Sequence, residues 1–179
     1  MKSKYLFLVA WLFIMSHVAF GQTEKGHKLV GGSFNIGSLS TSSGSSDNIF
    51  FLSIAPNIAF FIADNVAIGG ALGIDLSDSD NASSTSISIS PMGRYYFGDS
   101  EKTKWFGTGT LGFVSSKTET LGFEVTRSGI TGHLGVGLAY FLNEFVSIEG
   151  VFGYRFTKFE DLDAVSRTGL DVGLQIYLP

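Results

Sequence analysis

The sequence predicts an all-β chain: an eight-stranded antiparallel up-and-down transmembrane β-barrel, preceded by a cleaved signal peptide. Three observations carry this expectation. Large apolar residues alternate with small or polar ones along most of the chain, the period-two pattern of strands with one greasy face. Charged residues are only 16% of the sequence beside 44% hydrophobic ones and 23 glycines, where a soluble domain carries about 25% charge. The connections between apolar segments are alternately short and long, as in up-and-down barrels of outer membranes.

The first segment, MKSKYLFLVAWLFIMSHVAFGQ, opens with Lys2 and Lys4 and continues with an apolar run from Tyr5 to Met15. Ala19 and Gly21 supply small residues at the −3 and −1 positions before Gln22. This is the layout of a secretory signal peptide, and the run is too short for a spanning helix, which needs about 20 apolar residues. The expected organisation is a signal peptide over 1–21, a short N-terminal linker over 22–27 and a barrel domain over 28–179.

Strands are expected over 28–37, 49–62, 66–76, 84–97, 104–114, 125–142, 145–157 and 166–178. In the first, Val30, Phe34 and Ile36 oppose Gly31, Ser33 and Asn35. In the second, Phe50 to Ile62 at even positions oppose Ser53, Ala55, Asn57 and Ala59. In the third, Val66 to Leu76 oppose Ala67, Gly69, Gly73 and Asp75. In the fourth, Ile87, Ile89, Tyr95 and Phe97 oppose Ser86, Ser88, Ser90 and Arg94. The fifth is ambiguous, because Gly107 and Gly109 interrupt the set Trp105, Leu111 and Phe113. In the sixth, Leu134 to Leu142 oppose Gly135, Gly137 and Ala139; in the seventh, Ile148, Phe152 and Tyr154 oppose Glu149 and Arg155. In the last, Leu170 to Leu178 oppose Asp171, Gly173, Gln175 and Tyr177.

Between strands, 38–47, 77–83, 115–124 and 158–165 read as long polar loops, while 63–65 and 143–144 read as short turns. Facing residues of an antiparallel pair share a face. Leu142 with Val146, and Ile62 with Val66, therefore demand turns of three residues or an equivalent bulge.

A lipocalin-like barrel would turn the greasy face inward around a ligand, and a membrane barrel would turn it outward to lipid. The opposite face favours lipid outside. It holds small residues with charges of both signs, Asp75, Arg94, Arg127, Glu149, Arg155 and Asp171, which suit a filled lumen with ion pairs. Phe60, Tyr95, Phe97, Trp105, Tyr140 and Phe156 stand near strand ends on the greasy face, where aromatic girdles lie. The stretches SIAPNIAFFIADNVAIGGALGI (53–74), SPMGRYYFG (90–98) and GLDVGLQIYLP (169–179) resemble the small outer-membrane β-barrels of the OmpA/OmpX type, within the outer-membrane β-barrel domain family. The resemblance covers 28–179. The last stretch resembles the assembly signal of a final barrel strand, although such strands usually end on an aromatic residue and this chain ends Leu178-Pro179.

The resemblance implies an outer-membrane location, outer-membrane lipid and the barrel assembly machinery as partners, and a monomer. A formal net charge of −4 without a basic run argues against nucleic acid. GTGTLG (107–112) matches a dinucleotide-loop spacing, but no helix pattern follows, so its glycines read as strand glycines. Asp75, Asp78 and Asp80, and the cluster Glu160, Asp161 and Asp163, lack calcium-loop spacing and read as solvated acidic segments. His133 is expected inside the barrel, and no Ser-His-Asp set can be assembled from the sequence. The expectation is a structural or surface-interaction barrel, neither an open porin nor an enzyme, with no cofactor. A loop-mediated adhesin, a ligand-binding barrel and a lipid-modifying enzyme are the alternatives.

Overall fold

The structure is a computed structural model that describes residues 22–179 apart from 41–47, 80, 81, 99, 101, 121 and 161. The signal-peptide segment 1–21 lies outside the described residues. Eight strands follow one another: β1 (Lys28–Ser40), β2 (Asn48–Ala63), β3 (Val66–Ser79), β4 (Ala82–Phe97), β5 (Thr103–Thr120), β6 (Phe123–Phe141), β7 (Val146–Phe159) and β8 (Val165–Leu178). Each pairs antiparallel with the next, and β8 closes on β1 into a barrel.

Period-two alternation decides which side chains face out. Even positions of β1–β3 and β6–β8, and odd positions of β4 and β5, point away from the axis and are exposed. Phe34, Ile58, Leu72, Ile89, Leu134, Phe152 and Leu170 are among them, and Phe113 is 74% exposed. A soluble protein would not leave so large a continuous apolar surface in water. On β5 this outward band runs from Trp105 to Phe113. At about 3.3 Å per residue and a tilt near 40°, nine residues span roughly 23 Å, close to the apolar band of outer-membrane barrels.

The inner face is small because the barrel is narrow. A Cβ on Gly69 would run into the backbone of Ile58 and Ala59 on the neighbouring strand, so that position excludes any side chain. The two turns obey the parity requirement. The Leu142 N–H donates to the Val146 carbonyl at 2.8 Å, enclosing 143–145. The Asn143 carboxamide oxygen accepts from the Phe145 and Val146 N–H groups and holds that turn. Between β2 and β3, Ala63 pairs with Val66, and a register shift between Phe61 and Ala63 supplies the bulge. Asn65 takes the left-handed conformation there, with φ 66°, which asparagine tolerates.

The opposite end differs from the expectation. Of the segments read as long loops, 115–124 is mostly strand and so are the described residues of 77–83, whereas 158–165 keeps a loop between Phe159 and Val165. Ser79 pairs with Ala82, and Thr120 pairs with Phe123. Polarity had been equated with loop, but Ser, Thr, Lys and Glu can continue a ladder above the lipid, where both faces are wet. Of 38–47, residues 38–40 belong to β1 and 41–47 lie outside the described residues. The β5–β6 hairpin rises farthest, with seven residues on each strand beyond Phe113 and Ile130, roughly 18 Å of added height.

Candidate functional site

The barrel encloses the polar side chains that carry any chemistry, and they form two groups rather than one network. At the end bearing the short turns, Arg94 from β4 and Glu149 from β7 meet across the lumen. Arg94 Nη1 donates to both carboxylate oxygens, at 3.0 and 2.7 Å, and also to the Tyr96 hydroxyl at 3.0 Å. The Tyr177 hydroxyl donates to Glu149 Oε1 at 3.1 Å and lies 3.0 Å from the Tyr96 hydroxyl. Arg94 also stands 4.3 Å from the centre of the Phe106 ring, a cation–π contact in a dry site. Arg94 and Glu149 are 7% and 2% exposed. Each charge is thus desolvated and compensated by the other.

Around that pair the lumen is aromatic. Phe61, Tyr96, Phe106, Phe141 and Tyr177 pack with Leu29 and Met92 into a buried plug, with ring centres 5.0–6.3 Å apart. The sequence reading placed Tyr177 on the inner face but missed Phe61, Tyr96, Phe106 and Phe141. The signal was present as doublets: Phe60-Phe61, Tyr95-Tyr96, Trp105-Phe106 and Tyr140-Phe141. In each, the first ring faces out and the second fills the lumen. Residues 22–27, expected as a linker, lie across this end. Thr23 is buried; its hydroxyl donates to the Asn65 carboxamide oxygen at 2.6 Å and accepts from Lys104 Nζ at 2.9 Å.

The second group lies nearer the hairpin end. Asp75 of β3 accepts from Ser53 at 2.5 Å, from Arg167 at 3.1 Å and from Arg155 at 3.3 Å. Arg155 also approaches Asp171 at 3.7 Å, and the Asn35 carboxamide donates to Asp171 at 3.0 Å. Arg155 and Arg167 are direct cross-strand partners, and His133 faces Arg155 from β6. Asp75 reaches from the far wall to hold the two like charges together. His133 Nε2 stands 4.0 Å from Asp171 and has no hydrogen-bond partner among the described residues. Its ring lies where a Cβ on Gly153 would be.

Five of the six predicted lumen charges therefore pair, in two sets: Arg94 with Glu149, and Asp75 and Asp171 with Arg155. Arg127 lines the same lumen, but no carboxylate lies within ion-pair distance among the described residues. Arg167 was missed, although it shares odd parity with Asp171. Of the predicted girdle, Phe60, Tyr95, Phe97, Trp105 and Tyr140 are exposed and ring the turn end. Phe156 stands toward the hairpin end, paired with Ser166 and half-buried. Asp75 and Asp78 point to opposite faces of β3, so they cannot converge on one ion; Asp80 and Asp161 lie outside the described residues.

Between the charged groups the lumen holds a cavity of about 420 Å³, lined on one side by Ser86, Ser90, Ser116 and Thr110 and on the other by Asp75, Arg155 and Asp171. The outer membrane protein beta-barrel domain profile matches residues 6–175 of this chain. The chain belongs to the outer membrane protein beta-barrel domain family. This outer-membrane barrel thus has its greasy band in lipid, its short turns in the periplasm and its hairpins outside. No curated protein sequence matches the chain. Neisserial surface protein A is similar in structure, with a TM-score of 0.61 at 15% identity over 85% of this chain and 97% of that one. The N-terminal barrel domain of Pseudomonas aeruginosa OprF gives 0.53 at 12% identity over 86% and 98%. Ail, the attachment invasion locus protein of Yersinia pestis, gives 0.50 at 15% identity over 86% and 99%. At these identities the likeness is one of fold.

Proposed function

We propose that this outer-membrane barrel is a non-conducting anchor that presents its strand-built hairpins at the cell surface, in a structural or surface-interaction role. The observation that carries this reading is the periplasmic half of the lumen. Five aromatic rings, Leu29, Met92 and the buried Arg94–Glu149 pair fill it, and the 22–27 segment lies over it. Eight strands leave an interior that side chains fill, and here the large ones do so at one end. The extracellular hairpins are the remaining surface, and Phe123 near the β5–β6 tip is exposed.

Catalysis is not part of this reading. His133 lies inside the barrel without a hydroxyl bonded to it among the described residues, so no nucleophile is set up beside it. Lipid is the partner of the outer wall, the assembly machinery is the partner during insertion, and the closed sheet works as a monomer because it leaves no edge to pair within the lipid. Planar-bilayer recording of the purified protein tests the reading. No steady conductance is expected. Stable steps of nanosiemens size would overturn it.

A further inference from the structure

The cavity above the aromatic plug is unevenly charged. Among the described residues, Arg94, Arg127, Arg155 and Arg167 line it against three carboxylates, Asp75, Glu149 and Asp171. Arg94 takes Glu149, while Arg155 and Arg167 share Asp75 and Asp171. Arg127 is the remainder. It enters the lumen opposite Ser116, half-buried, without a carboxylate partner among the described residues. A guanidinium stays protonated at any ordinary pH. Inside a narrow cleft its field is dissipated less than on an open surface, which raises the local concentration of anions.

The wall beside it, on β5 and β4, is made of hydroxyls. Ser84 lies 3.2 Å from both Ser116 and Thr118, and Ser86 donates to Ser116 at 2.8 Å. Two buried atoms at the inner end also lack partners among the described residues: Arg94 Nε, on a side chain only 5% exposed, and Asn57 Oδ1. The cavity is closed toward the periplasm by the plug and falls within the size range of small-molecule pockets.

We propose that this vestibule binds a small hydroxylated anion entering from outside the cell, of the sugar-acid class, with Arg127 holding its oxyanion and the serine–threonine wall holding its hydroxyls. Arginine matches a planar carboxylate through paired N–H donors, and hydroxyls accept and donate to a polyol. The site uses the inner face of the hairpins and does not depend on what their tips or outer faces bind.

The test is calorimetric titration of the full chain, purified from outer membranes in zwitterionic detergent, with galacturonate, galactose and inorganic sulfate. Galacturonate is expected to bind saturably and to weaken as sodium chloride rises, while galactose does not bind. Sulfate competing with galacturonate supports the anion site; sulfate binding more tightly than galacturonate overturns the sugar-acid class. Arg127→Gln should weaken galacturonate at least tenfold, Arg127→Lys less, and Lys158→Gln on the outer wall not at all. Absence of saturable galacturonate binding, equal binding of galactose, or an Arg127→Gln protein that binds as wild type would overturn the proposal. Wild-type affinity independent of salt would do the same without reliance on any variant folding.

Discussion

Glu149 shows how a single residue can be costly and necessary together. Its carboxylate has left water for a site where Arg94 and the Tyr177 hydroxyl replace the lost hydration. Removing one partner leaves the other as a buried bare charge, which costs about 3–5 kcal/mol, whereas removing both is far milder. Glu149→Gln is therefore expected to destabilise the barrel by about 3 kcal/mol in urea unfolding, and Arg94→Met with Glu149→Gln by less than the single change. A single variant as stable as wild type would show that the pair is not desolvated in solution. The parity of Glu149 and Arg94 was legible in the sequence. Their pairing was not, because 55 residues separate them, and only closure of the sheet sets β4 opposite β7. Arg127 also faces inward yet stands outside both sets.

At the scale of elements, each strand has two parts with different solvents. On β5 the outward face is apolar from Trp105 to Phe113 and then polar from Ser115 through Lys117 to Glu119. Lys117 and Glu124 make an ion pair at 2.7 Å across the upper hairpin, exposed enough to contribute little. The lipid-embedded part holds the barrel, and the upper part extends it. Replacing residues 116–127 by a short Asn-Gly turn should leave the heat-modifiable gel shift of the folded barrel intact. Loss of that shift would mean that the upper ladder is needed for folding. Except for the fifth strand, where Gly107 and Gly109 interrupt the pattern, strand existence and face were readable in the sequence from alternation alone. The ladder above the membrane was not, since alternation of Ser with Thr or Lys carries no contrast in hydropathy.

At the scale of the whole molecule, the seam between β1 and β8 is the shortest ladder, seven pairs from Lys28–Leu178 to Phe34–Val172. The β5–β6 ladder has eighteen. Above the seam, among the described residues, the Asn35 side chain continues the join, donating to the Leu170 carbonyl at 2.6 Å. Hydrogen exchange should accordingly be fastest at 36–40 and 165–169 and slowest in the lipid-embedded part of β5 and β6; uniform protection around the barrel would contradict this. Alternation, glycine content and turn parity by themselves determined eight strands, the lipid-facing set, the three-residue turn at 143–145 and the bulge beside 63–65, because each follows from which neighbours share a face. Tertiary structure alone decided which charges meet, that second members of the aromatic doublets plug one end, and that Arg127 is left over at the other. These depend on distances across a lumen that exists only once β1 has met β8, and no local pattern along the chain records them.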